Sequence, residues 1–314
     1  MTANSATPQN FLKSWGLVIA LLVIGTGLSL AHPTFLTVNN LLNVARQISI
    51  NGILAVGVTL VLLTGGVDLS LGSVVALAGV VAASLAHPGD HSVVVAIAAG
   101  IAVGAACGAT NGLMVTRGLI PSFIATLGMM TAARGLALVL AKGRPVSNLS
   151  PDFTRIGGDL GMVPIPAIVL GVLAVGTAIV LRNLRLGRHL YAVGGNADAA
   201  RASGIGVGRV RMIAYTVCGA FAGVAGVVLA SRITTGQPNA GAGYELDAIA
   251  AVVIGGTSLS GGVGTIGGTI LGALLVGVIN NGLDLMNVSS YYQAIVKGVI
   301  IVGAVWLDRN RTQS

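Results

Sequence analysis

Few residues in this sequence have the type and spacing that covalent or metal chemistry requires. The cysteines Cys107 and Cys218 lie far apart in apolar runs. The one H-x-x-x-H spacing, His87 to His91, contains Pro88 and Gly89, which break the helix that such a metal-binding pair needs. Residues 262–267 spell G-x-G-x-x-G, but a dinucleotide site needs that motif between a strand and a helix, not in a long apolar segment. No G-x-x-x-x-G-K-[ST] segment is present to hold nucleotide phosphates. The sequence therefore predicts no catalytic residue, no metal site and no cofactor bound by this chain.

Isolated polar residues within apolar runs are the stronger chemical signal. Asp68 lies between two such runs, where a charged side chain is costly unless it faces water or a partner. It could line a pathway or cap the following helix, and capping is slightly favoured. Arg134 could line the same pathway or extend towards the membrane surface, whereas Glu245 and Asp247 are better explained as helix caps. The candidate pathway residues are Asp68, Ser70, Asn111, Arg134, Asn280 and Asn281, although the asparagines could equally bond neighbouring helices.

The composition predicts an all-α integral membrane protein. Only 8% of the 314 residues are charged and 54% are hydrophobic, whereas soluble chains carry about 25% charged residues. The net charge of +8 does not indicate nucleic-acid binding, because aromatic residues make up only 4%. About ten spans are expected, and the Gly-rich eighth and ninth could be broken or re-entrant. The predicted spans are 15–31, 48–64, 71–87, 93–115, 120–140, 164–181, 212–230, 247–264, 266–283 and 291–307.

The distribution of cations predicts that both termini lie in the cytoplasm. With that orientation, ten Lys and Arg residues lie at cytoplasmic ends and five, Arg46 among them, lie in outer loops. The expected organisation is a tail at 1–14, one transmembrane domain at 15–307 and a tail at 308–314. The longest cytoplasmic loop, 182–211, carries six of the ten cations.

Glycine-rich segments suggest an internal repeat. Residues 65–72 and 255–262 share five identities in eight, and transporters are often built from repeats with Gly-interrupted helices. A chance match is about as probable in a chain with 47 glycines, so the relation between the halves stays open. Small-xxx-small pairs, such as Gly219 with Gly223, allow close helix packing but do not by themselves define a dimer face.

The 182–211 loop contains a short helical stretch with clear end signals. Asn196 is a good N-cap, Asp198 suits the first turn, and Gly204 suits the position just after the helix. This stretch could be a surface loop whose charges only set the topology. We favour a docking element, because the cap, the small residues and the stop occur together.

Several motifs resemble the sugar permeases of ribose/xylose/galactoside ABC importers. They are residues 194–200, 203–205, 237–238, 243–259, 65–72, 123–128 and 280–283, and the similarity extends over about 35–307. The resemblance implies a bacterial inner-membrane permease homodimer, a cytoplasmic ATP-binding subunit that holds ATP and Mg, and a periplasmic sugar-binding protein. It also implies coupling to the ATPase through the loop residues Gly194, Gly195, Asn196, Ala199, Ala200, Ser203 and Gly204.

The combined interpretation is a permease that moves a monosaccharide, most simply a ribose-like pentose, into the cytoplasm. The alternative is an ion-coupled secondary transporter that uses Asp68 as its proton or sodium site. Proton relays usually contain several intramembrane acids, whereas Asp68 is nearly alone here, so the ATP-driven importer is preferred.

Overall fold

The computed structural model describes residues 8–289, 291–293, 295–299 and 302–303. Twelve α-helices are defined within them, together with one 3-10 turn at Arg155–Gly157. Strands β1 (Asp159–Leu160) and β2 (Val163–Pro164) form a small antiparallel hairpin. The described residues from 291 onwards are also helical. The helices are α1 Pro8–Ala31, α2 Val38–Leu63, α3 Leu71–Ser84, α4 Val93–Thr116, α5 Ser122–Leu140, α6 Pro151–Thr154, α7 Ile165–Asn183, α8 Arg185–Gly195, α9 Ala197–Ala202, α10 Val207–Arg232, α11 Tyr244–Ile254 and α12 Ile266–Leu285.

The mainly helical fold is confirmed, whereas the helices that qualify as candidate membrane spans are fewer than the ten or so predicted. Six helices in the described part of the chain are long and apolar enough to cross a bilayer: α2, α4, α5, α7, α10 and α12. The apolar part of α1 and the whole of α3 are shorter, and α11 has 11 residues. The predicted tenth span lies partly outside the described residues, as do most of the two predicted tails, although α1 already begins at Pro8.

Two predicted boundaries differ from the structure for identifiable reasons. Helix α2 begins ten residues before the predicted span, because the Thr37 side chain caps it by accepting the Asn40 N–H. Arg46 therefore lies inside a helix and not in a loop, and its guanidinium pairs with Asp159 at 2.5 Å. The predicted eighth span is helical only as far as Ile254, where two glycines begin a non-helical turn at residues 255–265.

The centre of the molecule is built around α2, α3 and α10. In α2, 89% of the most apolar window is buried, as expected for a helix that is hydrophobic on all sides. The corresponding buried fractions in α4, α5 and α7 are only 22%, 22% and 28%, so these helices form the outer surface. The fold is therefore a core of buried helices within a shell of partly exposed apolar helices.

Small-xxx-small pairs hold helices together inside this chain. A methyl group at Gly104 of α4 would lie 2.3 Å from the carbonyl oxygen of Gly219 in α10. A methyl group at Gly272 of α12 would lie 1.9 Å from the carbonyl oxygen of Ala251 in α11. Both close approaches require glycine, so these pairs serve packing within one chain.

Candidate functional site

The predicted helical stretch in the 182–211 loop is present as the separate short helix α9. The Asn196 side-chain oxygen accepts the backbone N–H groups of Asp198 and Ala199 at 3.0 and 2.9 Å. The Ser203 hydroxyl donates to the carbonyl of Ala199 at 2.9 Å, and Gly204 has a φ of +81°, which favours glycine. Both predicted ends of the helix are therefore formed as expected.

Helix α9 has one side against the protein and one side open. Ala200 is buried, whereas Asn196, Asp198 and Ala199 are exposed. The exposed surface is made of short side chains, apart from Arg201, which pairs with Asp198 at 2.7 Å. A rigid, capped helix with a small-residue outer face can fit into a groove of another protein.

The end of α8 packs against two glycine-rich turns. A methyl group at Gly194 would lie 1.8 Å from the carbonyl oxygen of Leu63, and the backbone N–H of Gly262 donates to that same oxygen at 3.0 Å. The Tyr191 hydroxyl donates to the carbonyl of Gly264 at 2.8 Å. These contacts define one packed unit around Gly194. It consists of the end of α2, the 255–265 turn and the segment leading into α9.

The two similar glycine-rich segments, 65–72 and 255–262, meet in this unit. A methyl group at Gly65 would lie 3.4 Å from the carbonyl oxygen of Ser260. Each segment follows the C-terminal end of a buried helix and leads into another helix, α3 in the first case and α12 in the second. The two copies thus occupy corresponding positions beside Gly194.

Asp68, Ser70 and Asn111 form a closed polar cluster. The backbone N–H and the hydroxyl of Ser70 donate to Asp68 Oδ1 at 2.9 and 2.6 Å. The Asn111 amide donates to Ser70 Oγ at 3.0 Å and to Asp68 Oδ2 at 3.4 Å. None of the three side chains is more than 1% exposed. The Asp68 carboxylate thus fixes the turn that leads into α3, although it accepts no N–H group of the helix itself.

We expect Asp68→Asn to be tolerated and Asp68→Ala to be destabilising. Asparagine keeps an acceptor for the Ser70 donors, and its amide could donate to Asn111 Oδ1, which is buried without a partner. Alanine leaves two donors unpaired, at about 1–3 kcal/mol each. Thermal unfolding of the purified variants, with sugar uptake in membrane vesicles, tests this prediction. A well-folded Asp68→Asn variant without uptake would instead support a titrating role for Asp68.

Asn280 and Asn281 form hydrogen bonds between helices. The amides of Asn281 and Asn40 in α2 bond each other in both directions, at 2.9 and 3.0 Å. Asn280 donates to Asp247 at 3.5 Å, and Lys297 pairs with the same carboxylate at 2.8 Å. Asp247 lies in the first turn of α11, as predicted, but its side chain caps no N–H group and instead joins α11 to the C-terminal helical residues.

An open cavity of about 360 Å³ lies where α3, α5 and the start of α11 meet. Its polar lining includes Arg134, whose guanidinium donates to the carbonyls of Pro238 and Ala240 at 2.6 and 2.8 Å. Arg134 thereby anchors the loop before α11. The sequence predicts that Arg134 lines a pathway or extends towards the membrane surface, and it does not predict this anchoring contact. The residues lining the cavity are Ser73, Met130, Thr131, Arg134, Ala242, Gly243 and Glu245.

Of the six predicted pathway residues, only Arg134 borders this cavity. The structure brings Asp68, Ser70 and Asn111 together in one cluster, and it places Asn280 and Asn281 on a separate interface of α12. Sequence reasoning missed Ser73 and Thr131. The position of Thr131 one turn before Arg134 was an available signal, since residues three apart share a helix face. Among the described residues, no group of three or more His, Cys, Asp or Glu could hold a metal.

A comparison with protein families decides the class of this chain. Residues 40–305 match the family described as the branched-chain amino acid transport system / permease component. The chain belongs to this permease family. It is therefore a multi-pass inner-membrane transport component and not a catalytic subunit, in agreement with its helical fold.

Individual members of the permease family match over nearly their whole length. The chain is 47% identical to the ribose import permease protein RbsC of Escherichia coli (strain K12), over 99% of this chain and 100% of the relative. It is 45% identical to the ribose import permease protein RbsC of Bacillus subtilis, over 96% and 94%. It is 34% identical to the xylose transport system permease protein XylH of Haemophilus influenzae, over 95% and 96%. No solved structure matches the chain.

Proposed function

We propose that this chain is the permease of an ATP-driven importer that moves a ribose-like monosaccharide into the cytoplasm. The supporting observation is the 40–47% identity to ribose import permeases over nearly the full chain. The proposed partners are a second copy of the permease, a cytoplasmic ATP-binding subunit that holds ATP and Mg, a periplasmic sugar-binding protein and membrane lipid. The ion-coupled alternative has no comparable support.

The proposed topology has ten segments that cross or enter the membrane and both termini in the cytoplasm. The segments are the six long helices together with α1, α3, α11 and the C-terminal helical residues. Alternating directions then put the end of α2, the α8–α9 segment and the 255–265 turn on the cytoplasmic side. The contacts of Leu63 with Gly194 and Gly262 support this arrangement, because they require all three to lie at one depth. Both glycine-rich segments would then follow helices that run inward.

The packed unit around Gly194 offers a mechanical route from α9 to the cavity. One glycine-rich turn leads directly into α3, which contributes Ser73 to the cavity, and the other follows α11, which contributes Glu245. A movement of α9 with its ATPase would shift both turns and therefore both of these helices. Such coupling requires the ATPase to bind one conformation of the permease better than another.

The cavity beside Arg134 is the proposed sugar-contact site. A monosaccharide needs several hydrogen-bonding groups, and the cavity combines hydroxyl, guanidinium and carboxylate groups with enough open volume for a small ligand. Carboxylate and guanidinium groups accept and donate, respectively, so together they can bond sugar hydroxyls of either orientation. The two charges also lie on separate elements, α5 and α11, whose relative movement would change the site.

We expect Thr131→Val to weaken sugar transport while leaving basal ATP hydrolysis unchanged. The substitution removes one hydroxyl from the cavity with little change in volume, and a lost hydrogen bond of about 1 kcal/mol corresponds to about a fivefold loss. Uptake of labelled sugar as a function of its concentration measures the effect. Thr110→Val is the matched control. Like Thr131, the exposed Thr110 of α4 donates its hydroxyl to the carbonyl four residues before it, but Thr110 lies outside the cavity.

The importer class is tested by isolating the tagged permease from native membranes. Recovery of an ATP-binding subunit, with ATP hydrolysis that rises when sugar and its binding protein are added, is the expected result. Sugar transport by the pure permease in proteoliposomes without ATP would overturn the proposal. Replacing ribose with xylose, allose or arabinose in the same assay distinguishes the sugar.

A further inference from the structure

A second opening in the protein, distinct from the sugar cavity, is a groove between α7 and α10. The groove has a volume of about 410 Å³, and Leu60 of the buried helix α2 contributes to its lining. It lies on the outer surface of the helix bundle, where Val172 is 67% exposed. The walls are formed by Val172, Gly176 and Val180 of α7 and by Ile213, Val217 and Phe221 of α10.

Two exposed arginines lie close in sequence to residues that line one end of the groove. Helix α8 contributes Leu186 and Leu190 to the lining, and the exposed Arg185 directly precedes Leu186. The exposed Arg209 lies four residues before Ile213, so it shares the groove-facing side of α10 one turn nearer its start. Neither arginine takes part in any of the four ion pairs found among the described residues.

We propose that this groove binds one anionic phospholipid, with an acyl chain between α7 and α10 and its phosphate at Arg185 and Arg209. The apolar walls can pack against the acyl chain, and the two guanidinium groups, which form none of the ion pairs above, can pair with the phosphate. In the proposed topology, the arginines lie at the level of the cytoplasmic headgroups, where basic clusters between helices bind acidic lipids. A helix from a second copy would fill the apolar walls but would leave both arginines without a counter-charge.

The position of the groove gives this lipid a structural consequence. Helix α8 borders the groove through Leu186 and Leu190 and, at its other end, carries Gly194 and leads into α9. A bound lipid would therefore support the outer side of the segment that precedes the docking helix. This inference depends on the orientation in the proposed function but not on which sugar is transported or on how the ATPase binds.

Retention of phosphatidylglycerol by the purified permease, measured by native mass spectrometry, tests the proposal. The protein is extracted from nanodiscs that contain phosphatidylglycerol and phosphatidylethanolamine in equal amounts. We expect one retained phosphatidylglycerol in the wild type. Gly176→Phe should remove it, because the space at Gly176 is open and the ring would occupy the groove. Gly171→Phe is the matched control, since Gly171 has equally open surroundings on α7 but does not line the groove.

Arginine variants separate the headgroup contact from the acyl-chain contact. Arg185→Gln and Arg209→Gln should each lower phosphatidylglycerol retention about fivefold, whereas Arg144→Gln in a distant loop should not. Added inorganic phosphate should not displace the lipid, since the acyl chain supplies part of the binding. Equal retention of phosphatidylethanolamine and phosphatidylglycerol would overturn the proposal. So would a Gly176→Phe variant that still retains phosphatidylglycerol. If that variant lost its dimer but kept the lipid, the groove would be an interface between two copies and the proposal would again be wrong.

Discussion

An Ala199→Glu substitution should abolish ATP-driven uptake while leaving the permease folded in the membrane. Ala199 lies on the exposed side of α9, so the new carboxylate is solvated in the free permease. In the docked complex it would be buried without a partner, at a cost of about 2–5 kcal/mol, or about a 30-fold or greater loss of affinity. Co-purification of the ATP-binding subunit and uptake of labelled sugar both measure the effect.

The same position provides the control for that experiment. Ala199→Ser adds one small hydroxyl to the exposed face and should retain both binding and uptake. Asn196→Pro is a harsher variant, because it removes the side-chain cap and the backbone N–H that donates to Ala192 at 3.1 Å. Normal uptake by Ala199→Glu, with the ATP-binding subunit still bound, would show that α9 is not the docking element.

The short helix α9 and the membrane class could be predicted because they depend on local chemistry. An Asn cap, an acidic first turn and a following glycine describe one turn of backbone, and each signal acts within a few residues. Apolar composition likewise identifies spans without knowledge of their neighbours. The start of α2 was predicted too late because its first turns contain Asn and Arg, which reduce hydropathy although Thr37 caps the helix.

The candidate pathway was harder to predict because polarity alone does not show what a side chain faces. Asp68 and Asn111 are as polar as Arg134, yet they bond each other in the interior while Arg134 borders an open cavity. Asp247 carries its charge in the first turn of α11, but its partner Lys297 is 50 residues away. Such pairings depend on how the helices pack, and a single sequence contains no direct signal for them.

Gly194→Ala is expected to disrupt transport far more than Gly195→Ala, although the two glycines are adjacent in α8. A methyl group at Gly194 would lie 1.8 Å from the carbonyl oxygen of Leu63 and 2.4 Å from the nitrogen of Gly262. Both are backbone atoms, so α8 must move away from the two turns, at a cost of about 1–3 kcal/mol or more. If the packed conformation carries that cost, its population and the coupled uptake should both fall by about fivefold or more.

Gly195→Ala is the control because nothing lies within 4 Å of the position that its methyl group would occupy. Both substitutions raise intrinsic helix propensity by about the same amount, so a difference between them reports packing and not helix formation. ATP hydrolysis and sugar uptake should be measured together in proteoliposomes. If Gly194 transmits movement from α9, Gly194→Ala will leave hydrolysis largely intact and lower the sugar moved per ATP. An equal effect of the two alanines would contradict a transmitting role for the contact between Gly194 and Leu63.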